Sequence, residues 1–420
     1  MTDAQKRRSV IAGIFTLLAG AMFAPTIQAV ELNFGKSSID IHGFFSQGYL
    51  HSDHNNFLAE TEDGTCDFRE YGVNAASELT TQLYIGAQLF GRKFGDYGND
   101  DITLDWALAD YHFQDWIGIR AGRMKAVLGL YNETRDIDML RTSIFLPESI
   151  YNDAWRESFT ALDGAGIYGT LSYKSLGSLS YQAQWGKIYI ESDGGVADYI
   201  AERVPMDVHD IETSDVYIVG IEWTPAAPFD GLRLRWTWNT WEGVLAASTN
   251  AHLFWQNQGV PAGLPISYHA DVNMATLSVE YRWDNLLLAA ETFLPDNFNY
   301  RMESPVLGHL AGGPAGMVGY YGSAAYRVGE WLEFGMYYSE YYNNGNDKDG
   351  KTNSALTGNP LYNSWLKDIA LTTRFDIHDN WVVKVEGHFM NGTDLMLTKD
   401  NPDGTHEDWF LFGCKVAYSF

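Results

Sequence analysis

The sequence predicts an all-β protein, a 16-stranded antiparallel transmembrane β-barrel, and three observations predict it. Sixteen segments alternate apolar and polar residues with period two. The connections between them are alternately short and long. A basic, then apolar, start is followed by no second apolar run of comparable length. Strand side chains point alternately to opposite faces, so a wall with oil outside and water inside requires that period. Its two faces cancel in a hydropathy average, so the mean hydropathy of -0.23 does not oppose a membrane address.

Residues 1–29 have the form of an export signal. Lys6, Arg7 and Arg8 are basic, Ser9 to Phe23 is apolar, and Ile27-Gln28-Ala29 offers a small residue for cleavage. The apolar run of about 15 residues falls short of the ~20 that cross a bilayer as a helix. The mature chain is expected to begin at Val30, with the barrel occupying 30–420.

The alternating segments are 38–50, 69–80, 82–93, 101–113, 115–123, 160–172, 178–190, 214–224, 231–242, 272–283, 285–294, 317–328, 331–341, 366–376, 380–391 and 408–420. The clearest sets Leu232, Leu234, Trp236 and Trp238 against Arg233, Arg235, Thr237 and Asn239. Ile102, Leu104, Trp106 and Leu108 stand against Thr103, Asp105, Ala107 and Ala109, and Leu179, Tyr181, Ala183 and Trp185 against Ser180, Gln182 and Gln184. Between segments, abrupt turns such as Asp284 or Gly329-Glu330 alternate with long stretches such as 51–68, 124–159, 191–213 and 243–271. Short turns on one rim, long loops on the other and an even strand count are what a membrane barrel requires. An open sheet in lipid would leave unpaired backbone groups at two edges, each costing several kcal/mol, so the wall is expected to close on itself. At sixteen strands the interior is wide enough for water.

Composition agrees. Aromatics at 15% and Gly at 41 residues against only 12 Pro suit many strands with aromatic girdles. The two cysteines, Cys66 and Cys414, give no disulfide framework, metal-site spacing or nucleophile motif. Cys414 reads as a small apolar residue facing lipid. A net charge of -26 argues against nucleic acid as a partner.

The last strand places Phe410, Phe412, Cys414, Val416, Tyr418 and Phe420 on one face and Leu411, Gly413, Lys415, Ala417 and Ser419 on the other. Ending on an aromatic of the apolar face, it resembles the C-terminal signature of Gram-negative outer-membrane barrels. The stretch from Arg120, with RAGRMK, GLYNE, LPESIY and DGAGIYG, resembles the outer-membrane porin family, and within it the branch related to phosphate- and dicarboxylate-type porins. That resemblance implies a third long loop, about 124–159, folded into the barrel as an eyelet of opposed charges, a homotrimer, a cell outer-membrane location and no cofactor.

By that resemblance the pore constriction is expected to hold Arg120, Arg123, Lys125, Glu133, Arg135, Asp136, Asp138 and Arg141. Strict alternation sends Arg123 to the face opposite Arg120, so its place there needs a bulge or an earlier strand end. Cations facing carboxylates across a narrow low-dielectric neck create a focused transverse field that sorts solutes by size and charge. Arg233, Arg235, Glu280, Arg282, Arg374, Lys384 and Glu386 share strand faces with polar neighbours and are expected on the lumen wall. A lipid-facing charge near the midplane would cost roughly 2–4 kcal/mol.

The function expected is passive diffusion of small hydrophilic solutes and ions, with a solute-specific anion channel for phosphate or dicarboxylates as the alternative. Against the anion reading stand acidic outer loops, where Glu191, Asp193, Asp198, Glu202, Asp207, Asp210, Glu212 and Asp215 face only Arg203. These acids would attract cations or bind divalent ions that bridge lipopolysaccharide, the expected partner along with outer-membrane lipid. An outer-membrane hydrolase would need a nucleophile with a base and an orienter, and no Ser/His/Asp grouping stands out, so no enzyme activity is expected. A secreted sugar-binding β-protein using Trp236, Trp238 and Trp241 would extract without detergent. Around Asp53 the two histidines His51 and His54 lie on a loop that adds no further ligand to complete a site, and Asn343 to Ser354 lacks the order of a calcium loop, so no metal is expected.

Overall fold

The structure, a computed structural model, describes residues 30–420 apart from 35–36, 96, 204, 253–254, 257–258 and 296, so the expected export signal lies outside the described residues. Among the described residues the chain forms twenty strands in one sheet. They are β1 (Val30–Phe34), β2 (Ser37–Ser52), β3 (Phe68–Glu78), β4 (Leu83–Phe94), β5 (Thr103–Gln114), β6 (Ile117–Lys125), β7 (Ala161–Tyr173), β8 (Gly177–Lys187), β9 (Met206–Thr213), β10 (Val216–Thr224), β11 (Leu232–Thr249), β12 (Pro265–Trp283), β13 (Leu286–Phe293), β14 (Phe298–Ser304), β15 (Gly308–Pro314), β16 (Val318–Val328), β17 (Leu332–Tyr342), β18 (Trp365–His378), β19 (Trp381–Gly392) and β20 (Asp408–Ser419). Among the described residues the α-helices α1 (Arg156–Phe159), α2 (Gly195–Arg203) and α3 (Lys351–Thr357) lie in connections.

Sixteen of these strands, all but β1, β9, β14 and β15, pair antiparallel in chain order and close a wall. The seam is β20 on β2, with Phe44 opposite Ser419 and Ser52 opposite Leu411. Gly43 and Phe420 then exchange backbone hydrogen bonds at 3.1 and 2.9 Å. Beyond the end of β20, β1 takes over the free edge of β2, with Val30 opposite Ile41. Closure leaves no wall edge for lipid to meet.

All sixteen expected segments are wall strands, and the faces follow the alternation. Leu277, Phe334 and Leu371 are 45, 48 and 49% exposed on the outside, while Thr237, Ser278 and Glu386 are buried on the inside. The face of one segment, 101–113, differs from the expectation. Register slips between Gln88 and Leu89, so Leu104 stands opposite Leu89 but Trp106 opposite Gln88, with Asp105 as the extra residue between them. Trp106 and Leu108 therefore share the inner face of Asp110, and of the four apolar residues read together only Leu104 is an outward strand position.

The four further strands occupy stretches expected to be loops or to precede the wall. β11 and β12 run on past the rim, with Ser248 opposite Pro265. β9 and β14 pair with their upper halves, Ile211 against Leu245 and Met302 against Tyr268, and β15 adds to β14. In this five-stranded extension Trp241, Leu245, Tyr268 and Met302 are buried against other connections. The apolar core lies at this long-loop end of the barrel. There Phe145 stacks on Phe68 of β3 at 5.3 Å and on Phe94 of β4 at 5.9 Å. Within Asn343 to Ser354, the Asp347 carboxylate accepts from the amides of Thr352 and Asn353 at 2.9 and 2.8 Å, satisfying donors in the first turn of α3.

Candidate pore constriction

The connection 126–160 between β6 and β7 is fastened to side chains from far around the wall. The amides of Ile144 and Phe145 donate to the Glu386 carboxylate of β19 at 2.8 and 3.0 Å, and the amide of Leu130 donates to Glu291 of β13 at 2.9 Å. The Arg374 guanidinium of β18 donates to the carbonyls of Met139 and Arg141, each at 2.9 Å. Thr142 bonds Glu333 of β17. Inner-face charges that a lipid face would penalise thus satisfy the polar backbone of an irregular segment.

A chain of eight charges of alternating sign runs through this junction. Asp105 pairs Lys125, which pairs Asp136, which pairs Arg156. Arg156 then pairs Glu70 at 3.3 Å, Glu70 pairs Lys415 at 2.6 Å, Lys415 pairs Asp138 at 2.8 Å, and Asp138 pairs Lys384 at 3.5 Å. It joins β5, β3, β20 and β19 to the loop. Side chains along it are between 1 and 12% exposed, so opposite charges neutralise one another out of water. Arg135 branches from the chain, sharing Asp153 with Arg92 and Arg156. Arg141 turns back on its own loop, bonding Asp138 and the carbonyls of Arg135 and Ile144.

Burial alone would raise the carboxyls of Asp136 and Asp138. Lys125 and Arg156 outweigh it at Asp136, and Lys415, Arg141 and Lys384 at Asp138, holding both well below the usual carboxylate range. Glu148 goes the other way. Burial and the neighbouring Asp153 push its carboxyl well above the ordinary glutamate value, and one of its oxygens is buried without a partner. Burial, with Glu280 beside it, also raises the Tyr131 hydroxyl, which donates to Glu280 at 2.8 Å.

Of the residues expected at the constriction, then, Lys125, Arg135, Asp136, Asp138 and Arg141 are gathered in the junction that holds the loop. Arg123 pairs Asp163, and the register sets it on the outward face of β6, beside Ala107 and away from Arg120, so the alternation holds past Gly122 at φ 126°. Arg120 and Glu133 are the two that remain about one-third exposed on inward positions. Arg120 pairs Asp110 and lies 4.2 Å over the Tyr168 ring. Glu133 reaches Arg235 at 2.7 Å, beside Arg233, which stands 3.8 Å from Glu222 and 3.6 Å from Glu280. Of the expected wall residues, Arg374, Lys384 and Glu386 are covered by the loop, whereas Arg233 is 30% exposed and Arg282 is exposed. Glu70, Arg92, Asp105, Asp110 and Lys415 were not expected at the site. Lys415 and Asp105 carried a sequence signal, as charges on the polar faces of the last strand and of segment 101–113.

On the short-turn side of the loop a cavity of about 460 Å³ opens between Met139 to Pro147 and the inner faces of β16 to β18, with Arg282, Arg327 and Glu333 in its lining. Along the arc from β5 to β12, Arg120, Glu133, Glu222 and Arg233 keep a quarter to a third of their side chains exposed, while Asp110 and Arg235 are buried beneath them.

No family model matches the chain, and no curated protein does. Solved structures do. Over 93% of this chain and all of its own, the outer-membrane-expressed OmpT of Vibrio cholerae superposes with a TM-score of 0.55 at 10% identity. The fold is that of the Gram-negative outer-membrane porins. The anion-selective porin of Comamonas acidovorans gives 0.53 at 13% identity over 92% and 100% of the two chains. The outer-membrane channel DcaP of Acinetobacter baumannii gives 0.53 at 9% identity over 92% and 99%. At these identities the likeness concerns the porin fold, and the chemistry of the neck has to come from this chain's own residues.

Proposed function

We propose that the chain is a porin of the Gram-negative outer membrane, exported by residues 1–29 and passing small hydrophilic solutes and ions by diffusion. The observation that carries the proposal is a wall closed at β2 and β20, apolar outside, whose inner arc from β5 to β12 presents water-accessible charges of both signs. Its neck lies between that arc and the edge of the 126–160 loop. Arg120, Arg233 and Arg235 supply the cationic side, and Asp110, Glu133, Glu222 and Glu280 the anionic one.

Seven charges with one acid in excess, below an acid-rich outer rim, favour cations weakly over anions. This reading therefore places a phosphate or dicarboxylate channel second. OmpT of Vibrio cholerae has been described in a trimer form, and the same assembly in lipopolysaccharide-bearing membrane is proposed for this chain. Purified protein in planar bilayers tests the reading. Conductance with a mild cation preference under a potassium chloride gradient is expected. No conductance removes the porin reading, and a strong anion preference removes the charge assignment at the neck.

A further inference from the structure

A second connection crosses the barrel above the first. Residues 188–203 follow β8 and precede β9 and β10, yet their contacts lie across the mouth. Asp198 of α2 pairs Lys399 at 2.7 Å, and Lys399 belongs to the connection between β19 and β20, half of the sixteen-strand circumference away. Tyr199 meets Trp155 of the 126–160 loop with rings 5.3 Å apart, and its hydroxyl lies 3.4 Å from that of Tyr341 on β17. Gly195 sits so close to the Ala154 carbonyl and the Tyr97 ring that a Cβ there would meet both at 2.7 Å. On the return side, the Trp255 indole of the β11–β12 connection donates to the Pro205 carbonyl.

The contacts that span the mouth differ in character. Val196, Ala197, Tyr199 and Ile200 are buried, forming an apolar underside. The Asp198–Lys399 pair at the far end is 33% and 42% exposed, a half-solvated contact that is cheap to break. The helix is entered through Asp193-Gly194 and begins at Gly195, whose lack of a side chain lets the closed position seat against Ala154 and Tyr97.

We propose that 188–203 is a lid across the outer mouth of the channel, latched by Asp198 and Lys399, and that its opening governs admission before solutes reach the neck. The inference rests on the channel reading above. Closed, the lid lays the apolar face of α2 on Trp155, and thereby presses on the loop that shapes the neck. Open, it withdraws that face and exposes Val196 and Tyr199 to water.

A readout that needs no conduction tests the lid itself. In a Cys66→Ser background, Val196→Cys should react slowly with a membrane-impermeant maleimide on intact cells. Lys399→Asp should speed the reaction about two- to fivefold, the range of a half-exposed ion pair, and the exchange Asp198→Lys with Lys399→Asp should slow it again. Separately, Asp198→Cys and Lys399→Cys joined by a short reducible bis-maleimide should lower time-averaged conductance in bilayers, and reductant should restore it. Equal labelling in all three proteins, or conductance indifferent to the tether, overturns the lid. Labelling that follows the charge exchange, with no conductance from any form, upholds the lid and overturns the channel reading.

Discussion

Single residues show how the charges of the 126–160 loop are used. Lys415 is buried between Glu70 and Asp138, and its removal leaves two carboxylates without their shared cation. Breaking a buried pair from one side costs about 3–5 kcal/mol, so Lys415→Met is expected to lose that much unfolding free energy in detergent, and adding Glu70→Gln should recover part of it. Urea unfolding followed by tryptophan emission measures both. The acid side of the pH profile follows from Asp136 and Asp138. Their carboxyls titrate lower in the folded chain than in the unfolded one, so the stability they contribute is complete above about pH 4 and fades as pH falls below it. Glu148 has the opposite sign. Its proton is held more tightly in the folded chain, so its contribution is present below the ordinary glutamate value and is lost as pH rises through the raised one. Glu148→Gln should therefore raise the urea midpoint at pH 8 to 9 while leaving it unchanged near pH 4. An equal shift at both ends would mean that the side chain acts by packing alone.

At the scale of elements, strand β6 sorts its own charges. Arg120 faces inward over Tyr168 and Arg123 outward against Asp163, three residues apart on one strand. Arg120→Ala is expected to change single-channel conductance by tens of percent and move the reversal potential toward cations, while Arg123→Ala leaves both where they were. Equal effects would contradict the faces. The wall was legible in the sequence because a membrane-facing strand has one admissible pattern, as Leu232 to Asn239 shows. The slip at Asp105 was not, because one inserted residue reverses every later face while the composition of the segment is unchanged. Nor were β9 and β15, whose MDVHDIET and GHLAGGP pair above the rim, where no lipid demands a greasy face. The loop was legible as the place where charge concentrates. Which of its charges meet water was not, because partners such as Glu70 and Lys415 come from strands far apart in the chain, and only the closed wall brings them to Asp138 and Arg156.

For the whole molecule the net charge of -26 becomes a statement about ion traffic once its distribution is known. The chain of eight paired charges between loop and wall is balanced internally, four acids against four bases, and contributes little field beyond itself. The excess acid lies outside it, in connections such as Glu191 to Asp215. Those acids act on ions through solvent, over a distance set by screening, whereas Glu133, Glu222 and Glu280 act at contact. Salt separates the two. At about 0.1 M the screening length is ~10 Å and the rim concentrates cations before the neck; at about 1 M it is ~3 Å and only contact charges count. The cation preference read from reversal potentials should therefore fall as salt rises from the lower to the higher concentration. Replacing Asp207, Asp210 and Glu212 by their amides should remove most of the low-salt preference and leave the high-salt value alone. A preference that does not change with salt would place its whole origin at the neck, beside Arg233 and Glu280.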